Sequence, residues 1–109
     1  MPQFLIQFNY TSHAARGAID HPDVDRAGQA SKMVASLGGR LLGYWYAFGR
    51  YDGIVLMEAA DDNVPAAVTM AIKSTGEVSR IETTVLITMD EARKAMQKAA
   101  TANHLPPKN

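Results

Sequence analysis

The order in which hydrophobic periodicity changes along the chain is the strongest constraint on its fold. Gln3 to Tyr10 alternates, with Phe4, Ile6, Phe8 and Tyr10 on one side and Leu5, Gln7 and Asn9 on the other, the period-2 signature of a strand with unequal faces. Thr11 to His21 is polar and irregular and reads as a connection. Asp20-His21-Pro22-Asp23 then supplies an acceptor side chain, a proline for a first turn and carboxylates for the positive end of a helix dipole. A helix is expected from about Pro22 to Leu37, with Ala27, Ala30, Val34 and Leu37 facing inward and Gly38-Gly39 ending it.

Arg40 to Phe48 reads as a second strand, with Leu42, Tyr44, Tyr46 and Phe48 on one side and Leu41, Gly43, Trp45 and Ala47 on the other. Gly49-Arg50 is expected to turn tightly into a third strand, Tyr51 to Ala59, which carries the apolar run Ile54 to Met57. Asp61-Asp62 predicts the cap of a second helix, where Val64, Ala67, Val68, Ala71 and Ile72 recur at helical spacing up to Gly76. Glu77 to Met89 alternates again, Ile81, Thr83, Val85 and Ile87 against their neighbours. Thr88-Met89-Asp90-Glu91 fits a capping box for a short last helix that is expected to turn Ala92, Ala95, Met96 and Ala99 toward the body.

The sequence β-α-β-β-α-β predicts a ferredoxin-like α+β fold, a four-stranded antiparallel sheet with both long helices on one face. One domain is expected over residues 1–101, with a flexible tail over 102–109 that includes Pro106-Pro107. The other sheet face is left bare and partly apolar, so two copies packing face to face, as a homodimer or higher oligomer, would close a barrel.

Eleven basic and eleven acidic residues balance to zero, which removes the electrostatic footprint of a nucleic-acid binder. The absence of cysteine excludes a disulfide framework, a thiolate zinc site, an iron–sulfur cluster and a cysteine nucleophile. MPQFLIQFNY has neither the basic nor the long apolar region of a signal peptide, and no apolar run reaches the ~20 residues of a membrane span, so a cytoplasmic protein without membrane partners is expected.

Several residues are candidates for chemistry. Tyr51-Asp52 after the hairpin turn is either a turn signature or a carboxylate orienting a phenol and acting as a base. His13 and His21, near the open end of the sheet, are either solvent-exposed or serve as a general base or a metal or haem ligand. Their eight-residue spacing matches no helical ligand pair, so no metal site and no cofactor is expected. Asp20, Asp23 and Asp25 lack the glycine and terminal glutamate of a calcium loop and suit a helix N-terminus. Arg80 and Glu82 suit a cross-strand pair, and no phosphate-binding loop, dinucleotide fingerprint or nucleophile elbow is present.

Gly49-Arg50-Tyr51-Asp52, preceded by Leu37-Gly38-Gly39 and Gly43-Tyr44-Trp45 and followed by Glu58-Ala59-Ala60-Asp61-Asp62, resembles the GYD-domain family, as does Arg80-Ile81-Glu82-Thr83. The resemblance covers about Gln3 to Met96 and implies a subunit of the dimeric α+β barrel superfamily. That superfamily includes cofactor-independent monooxygenases, haem-degrading enzymes, isomerases and ligand-sensing domains, so the resemblance implies a fold without choosing a reaction. In the oxygen-using relatives a first-strand asparagine and a pocket tryptophan hold substrate, roles open to Asn9 and Trp45, which are equally suited to filling a sheet or a dimer seam. The leading expectation is a homo-oligomeric protein binding an aromatic or lipophilic metabolite through Asn9, Tyr10, Tyr44, Trp45, Tyr46, Met57 and Thr83. The alternative is a cofactor-independent monooxygenase or isomerase using Asp52, Tyr51 and His13. A third reading is an assembly module whose aromatic face is only an interface.

Overall fold

A computed structural model describes residues 1–103 of the chain. Its order is β1 (Gln3–Tyr10), α1 (Ser12–Asp20), α2 (Arg26–Ser36), β2 (Arg40–Tyr46), β3 (Gly53–Glu58), α3 (Asn63–Ser74), β4 (Val78–Leu86) and α4 (Met89–Ala99). The strands form one sheet in the order β2-β3-β1-β4. Every neighbouring pair is antiparallel, which is the ferredoxin-like arrangement. The expected frayed tail falls mostly outside the described residues.

The core lies on one sheet face. Phe4, Ile6 and Phe8 alternate inward from β1, Val55 and Met57 from β3, and Val34 of α2 and Val68 of α3 close over them. The period-2 and period-3.6 patterns therefore converge on one layer. Burial of these seven side chains supplies most of the apolar stabilisation, at about 1.5–3 kcal/mol each. Leu37 caps α2, and Gly38, at φ 94°, occupies the left-handed position after it. The Gly38 and Gly39 amides donate to Ala35 and Val34, which completes a Schellman stop.

Four local expectations are corrected. The segment after β1 is helical: Thr11 caps α1 by accepting from the Ala14 amide at 3.2 Å, and Ala14, Gly17 and Ala18 then share the face turned to the body. The next helix starts at Arg26 rather than Pro22, because Asp25 caps it through the Gly28 amide at 2.9 Å. Its inner face is Ala30, Met33 and Val34, while Ala27 and Leu37 are exposed. In β2 the register shifts between Leu41 and Gly43, so the bulge at Leu42 puts Leu41 opposite Met57 on the face of Tyr44, not on that of Trp45. Finally, α4 begins with the expected capping box at Thr88 and Glu91, yet it buries none of its residues. Its methionines face solvent instead, Met89 and Met96 both being exposed.

The hairpin turn is also wider than two residues. β2 ends at Tyr46, the Ala47 amide donates to the Asp52 carbonyl at 2.8 Å, and Phe48 stands fully in solvent.

Candidate functional site

Where α1, α2 and α3 approach the sheet, they leave a pocket of about 410 Å³, a size within the usual range for small-molecule sites. Phe8, Tyr10, Tyr44, Val55 and Val78 form the sheet side. Ala14, Gly17 and Ala18 come from α1, Ala30 and Met33 from α2, and Ala71 and Ile72 from α3. Polar groups lie among this lining at His13, Arg26, Gln29, Thr75 and Glu77. The helix α1 that the sequence disguised as a loop is thus one wall of the cavity. Thr11 holds it at the edge, its amide donating to the Glu77 carbonyl at 2.9 Å.

The sheet side carries a cluster of phenols. Tyr10 and Tyr44 share a hydrogen bond of 2.5 Å between their hydroxyls. Phe8 meets both rings edge-on, and Tyr46 lies against both at about 6 Å between ring centres. Burial, the bond to Tyr44 and the neighbouring phenols push the Tyr10 hydroxyl well above the ordinary tyrosine range. Burial likewise raises Tyr44, with the bond from Tyr10 opposing it. Both phenols therefore stay protonated at neutral pH, and the pair can donate and accept towards a hydroxyl or carbonyl on a bound molecule.

The turn between β2 and β3 does something else. Asp52 accepts from the Tyr10 amide at 3.0 Å, opposite the irregularity between Asn9 and Tyr10, and its own amide donates to the Phe8 carbonyl at 2.9 Å. Tyr51 folds onto the bare sheet face, where its hydroxyl bonds the Glu82 carboxylate and the guanidinium groups of Arg50 and Arg80 sit 5.8 and 5.4 Å from its ring centre. Asn9 donates to the Arg50 carbonyl at 3.0 Å. Arg80 pairs with Glu82 at 3.5 Å, along β4 rather than across strands.

The candidate residues are accordingly divided. Tyr10, Tyr44 and His13 line the pocket. Tyr46 touches its aromatic rim, and Met57 is wholly buried in the core beneath it. Thr83 lies instead in a second groove, between α3 and β4, bonded to Thr69 at 2.9 Å. Asn9 and Trp45 do share a face, but it is the bare one: Trp45 stands opposite Ile54, which stands opposite Gln7. Asp52 and Tyr51 are outside the pocket lining, and His21 ends α1 in solvent. Sequence reading missed Arg26, Gln29, Met33 and Glu77 as pocket residues. The amphipathic pattern of α2 could have pointed to Met33, one turn from Ala30, whereas no local signal marks Arg26, Gln29 or Glu77.

The GYD domain family model matches residues 4–96. The chain belongs to the GYD domain family. Among curated proteins, none matches its sequence. Solved structures similar to this GYD domain share its fold at low identity. They include FFRP-DM1, with a TM-score of 0.53 and 16% identity over 80% of this chain and 100% of that one. TTHA0845 from Thermus thermophilus scores 0.52 at 19% identity, over 81% of this chain and 95% of that one. A transcriptional regulator from Neisseria meningitidis, solved as an L-Met complex, scores 0.53 at 12% identity, over 81% of this GYD domain and 51% of the regulator. Among the described residues, the GYD domain has no helix long and apolar enough to cross a membrane and no cluster of His, Asp and Glu suited to a metal ion.

Proposed function

We propose that the protein is a self-associating small-molecule-binding domain whose pocket between the sheet and α1–α3 takes an aromatic or lipophilic metabolite carrying at least one hydroxyl or carbonyl group. The observation that carries this reading is the Tyr10–Tyr44 phenol pair inside an otherwise apolar cavity of about 410 Å³. A flat ring would pack against Phe8 and Met33, and its oxygen would meet the phenols. The L-Met complex of the structurally similar regulator supports the reading that this fold hosts small ligands, without identifying this one. Self-association is supported by the bare sheet face, on which Trp45 is 52% exposed.

Gly17 gives a clean test, because it lines the pocket and a side chain added there meets nothing within 4 Å. Gly17→Leu should fill the cavity while strengthening α1, since glycine in a helix interior costs about 0.5–1 kcal/mol relative to alanine. Titration with a naphthol probe by calorimetry should show binding to the wild type and its loss in the variant, with an unchanged or higher Tm. Equal binding by both would sink the assignment of the pocket. A second reading, proton-transfer catalysis on the same ligand, is favoured only by His13 in the pocket lining. His13→Ala would then abolish turnover while leaving probe affinity in place.

A further inference from the structure

The described molecule is long for its size, with extents of 60 × 31 × 22 Å and a radius of gyration of 17.6 Å. A compact domain of this length has about 13 Å. The helix α4 leaves the body, and Met89 and Met96 are 88% and 69% exposed. Met89, Ala92, Met96 and Ala99 follow a 3-4-3 spacing, the seam of a helix that expects another surface. An unfilled apolar groove of about 450 Å³ lies elsewhere on the same chain, between α3 and β4, floored by Phe4, Pro65 and Val85 and edged by Ala66 and Met70.

Charge and chain direction decide which α4 fits that groove. Asp61 and Asp62 stand at the start of α3 and Lys73 near its end, while α4 carries Asp90 and Glu91 at its start, Arg93 and Lys94 within the next turn and paired with Asp90, and Lys98 near its end. β1 is antiparallel to both β3 and β4, so those two strands run the same way and α3, which joins them, runs back the other way. A molecule's own α4, folded back from the end of β4, would run parallel to α3. Asp90 and Glu91 would then face Asp61 and Asp62, and Lys98 would face Lys73, with the helix dipoles aligned. A helix arriving from another molecule is free to lie antiparallel. Lys98 then meets Asp62, Lys73 meets Asp90 and Glu91, Met96 falls over Ala66 and Ala92 falls over Met70. Asp62 makes no side-chain cap bond to α3, so its carboxylate is available.

We propose that α4 of one copy docks antiparallel to α3 in the α3–β4 groove of a second copy. The partner is this chain itself, held by the methionine seam and by complementary charges at the two ends. This surface is separate from the ligand pocket, and its failure would leave the proposed function standing.

The chain has no cysteine, so single thiols report the contact directly. Ala66→Cys and Met96→Cys both lie at exposed positions and should leave the circular dichroism spectrum unchanged. When the two single variants are mixed and mildly oxidised, the cross-linked dimer containing one of each should exceed either same-variant dimer by about tenfold. Adding Lys98→Glu to the Met96→Cys chain should lower that yield, and adding Asp62→Lys to the Ala66→Cys chain should restore it. No excess of the mixed dimer, a dominant disulfide between two Met96→Cys chains, or a yield indifferent to both charge changes would overturn the proposal. So would an intramolecular cross-link that dominates at every dilution of the Ala66→Cys/Met96→Cys double variant.

Discussion

Tyr10 and Tyr44 hold their hydroxyls 2.5 Å apart in a partly buried site, so each is the other's principal polar partner. Tyr10→Phe leaves the Tyr44 hydroxyl to find water in the pocket and should cost about 0.5–1.5 kcal/mol by urea unfolding. The pair also sets an alkaline limit. Both phenols have raised folded-state pKa values, burial being the first cause for each, whereas unfolded tyrosines ionise near pH ~10. The folded state therefore holds their protons more tightly. Stability from the pair is fully present below pH ~10 and declines as pH rises above it, and Tyr44→Phe should flatten that decline in unfolding curves taken across the alkaline range. Gly53 illustrates a different residue-scale constraint. A methyl group there would stand 2.5 Å from the ring of Phe8, a core residue only 4% exposed. Gly53→Ala should destabilise the fold by about 1–3 kcal/mol, measured the same way.

At the scale of elements, α4 and α1 are helices of unlike origin. The capping box of α4 is complete: Thr88 accepts from the Glu91 amide at 3.0 Å and its own amide donates to the Glu91 carboxylate at 2.9 Å. That amide, followed by the Thr88 hydroxyl, lowers the Glu91 pKa. A depressed carboxylate pKa contributes stability above the ordinary glutamate value, and loses it as pH falls through the folded value. Amide protection in α4 should therefore fall on acidification below pH ~4. Thr88→Ala should reproduce that loss at neutral pH while leaving protection of β1 and β3 unchanged, because α4 buries nothing. In contrast, α1 exists because Thr11 caps it and the body receives its small residues, and Gly17 within it keeps a cavity open.

At the scale of the whole molecule, one sheet face is covered by helices and the other by a single turn. Tyr51, Arg50, Arg80, Glu82 and Asn9 cover the β1–β4 end of the bare face, which leaves Leu5, Ile54, Leu56 and Trp45 only partly shielded. Trp45 is the chain's only tryptophan and so reports this face. Self-association through it should move the emission to shorter wavelength as protein concentration rises. Leu56→Glu, on the same face, should abolish the concentration dependence of that emission without loss of the far-ultraviolet signal. An unmoved emission in the wild type, with a dimer still present, would place the contact elsewhere.

The sequence by itself determined the β-α-β-β-α-β order and the last helix, though not α1, together with the inner residues of β1 and α3, the stop at Gly38-Gly39 and the cap at Thr88. Each is a local property, a periodicity or a hydrogen bond closed within a few residues, and local properties are written in consecutive letters. It placed the hairpin turn at Gly49-Arg50 but made it too tight, since β2 ends at Tyr46 and β3 begins at Gly53. Only the tertiary structure decided what those letters meet at a distance. The bulge at Leu42 sorts Leu41 and Trp45 onto opposite faces, and Asp52 answers an amide of Tyr10 far away in the chain. The pocket arises because α1, an irregular-looking segment, is folded against the sheet beside Tyr10 of β1 and Tyr44 of β2. Such pairings follow from the fit of surfaces across the fold, and no single stretch of sequence contains both partners.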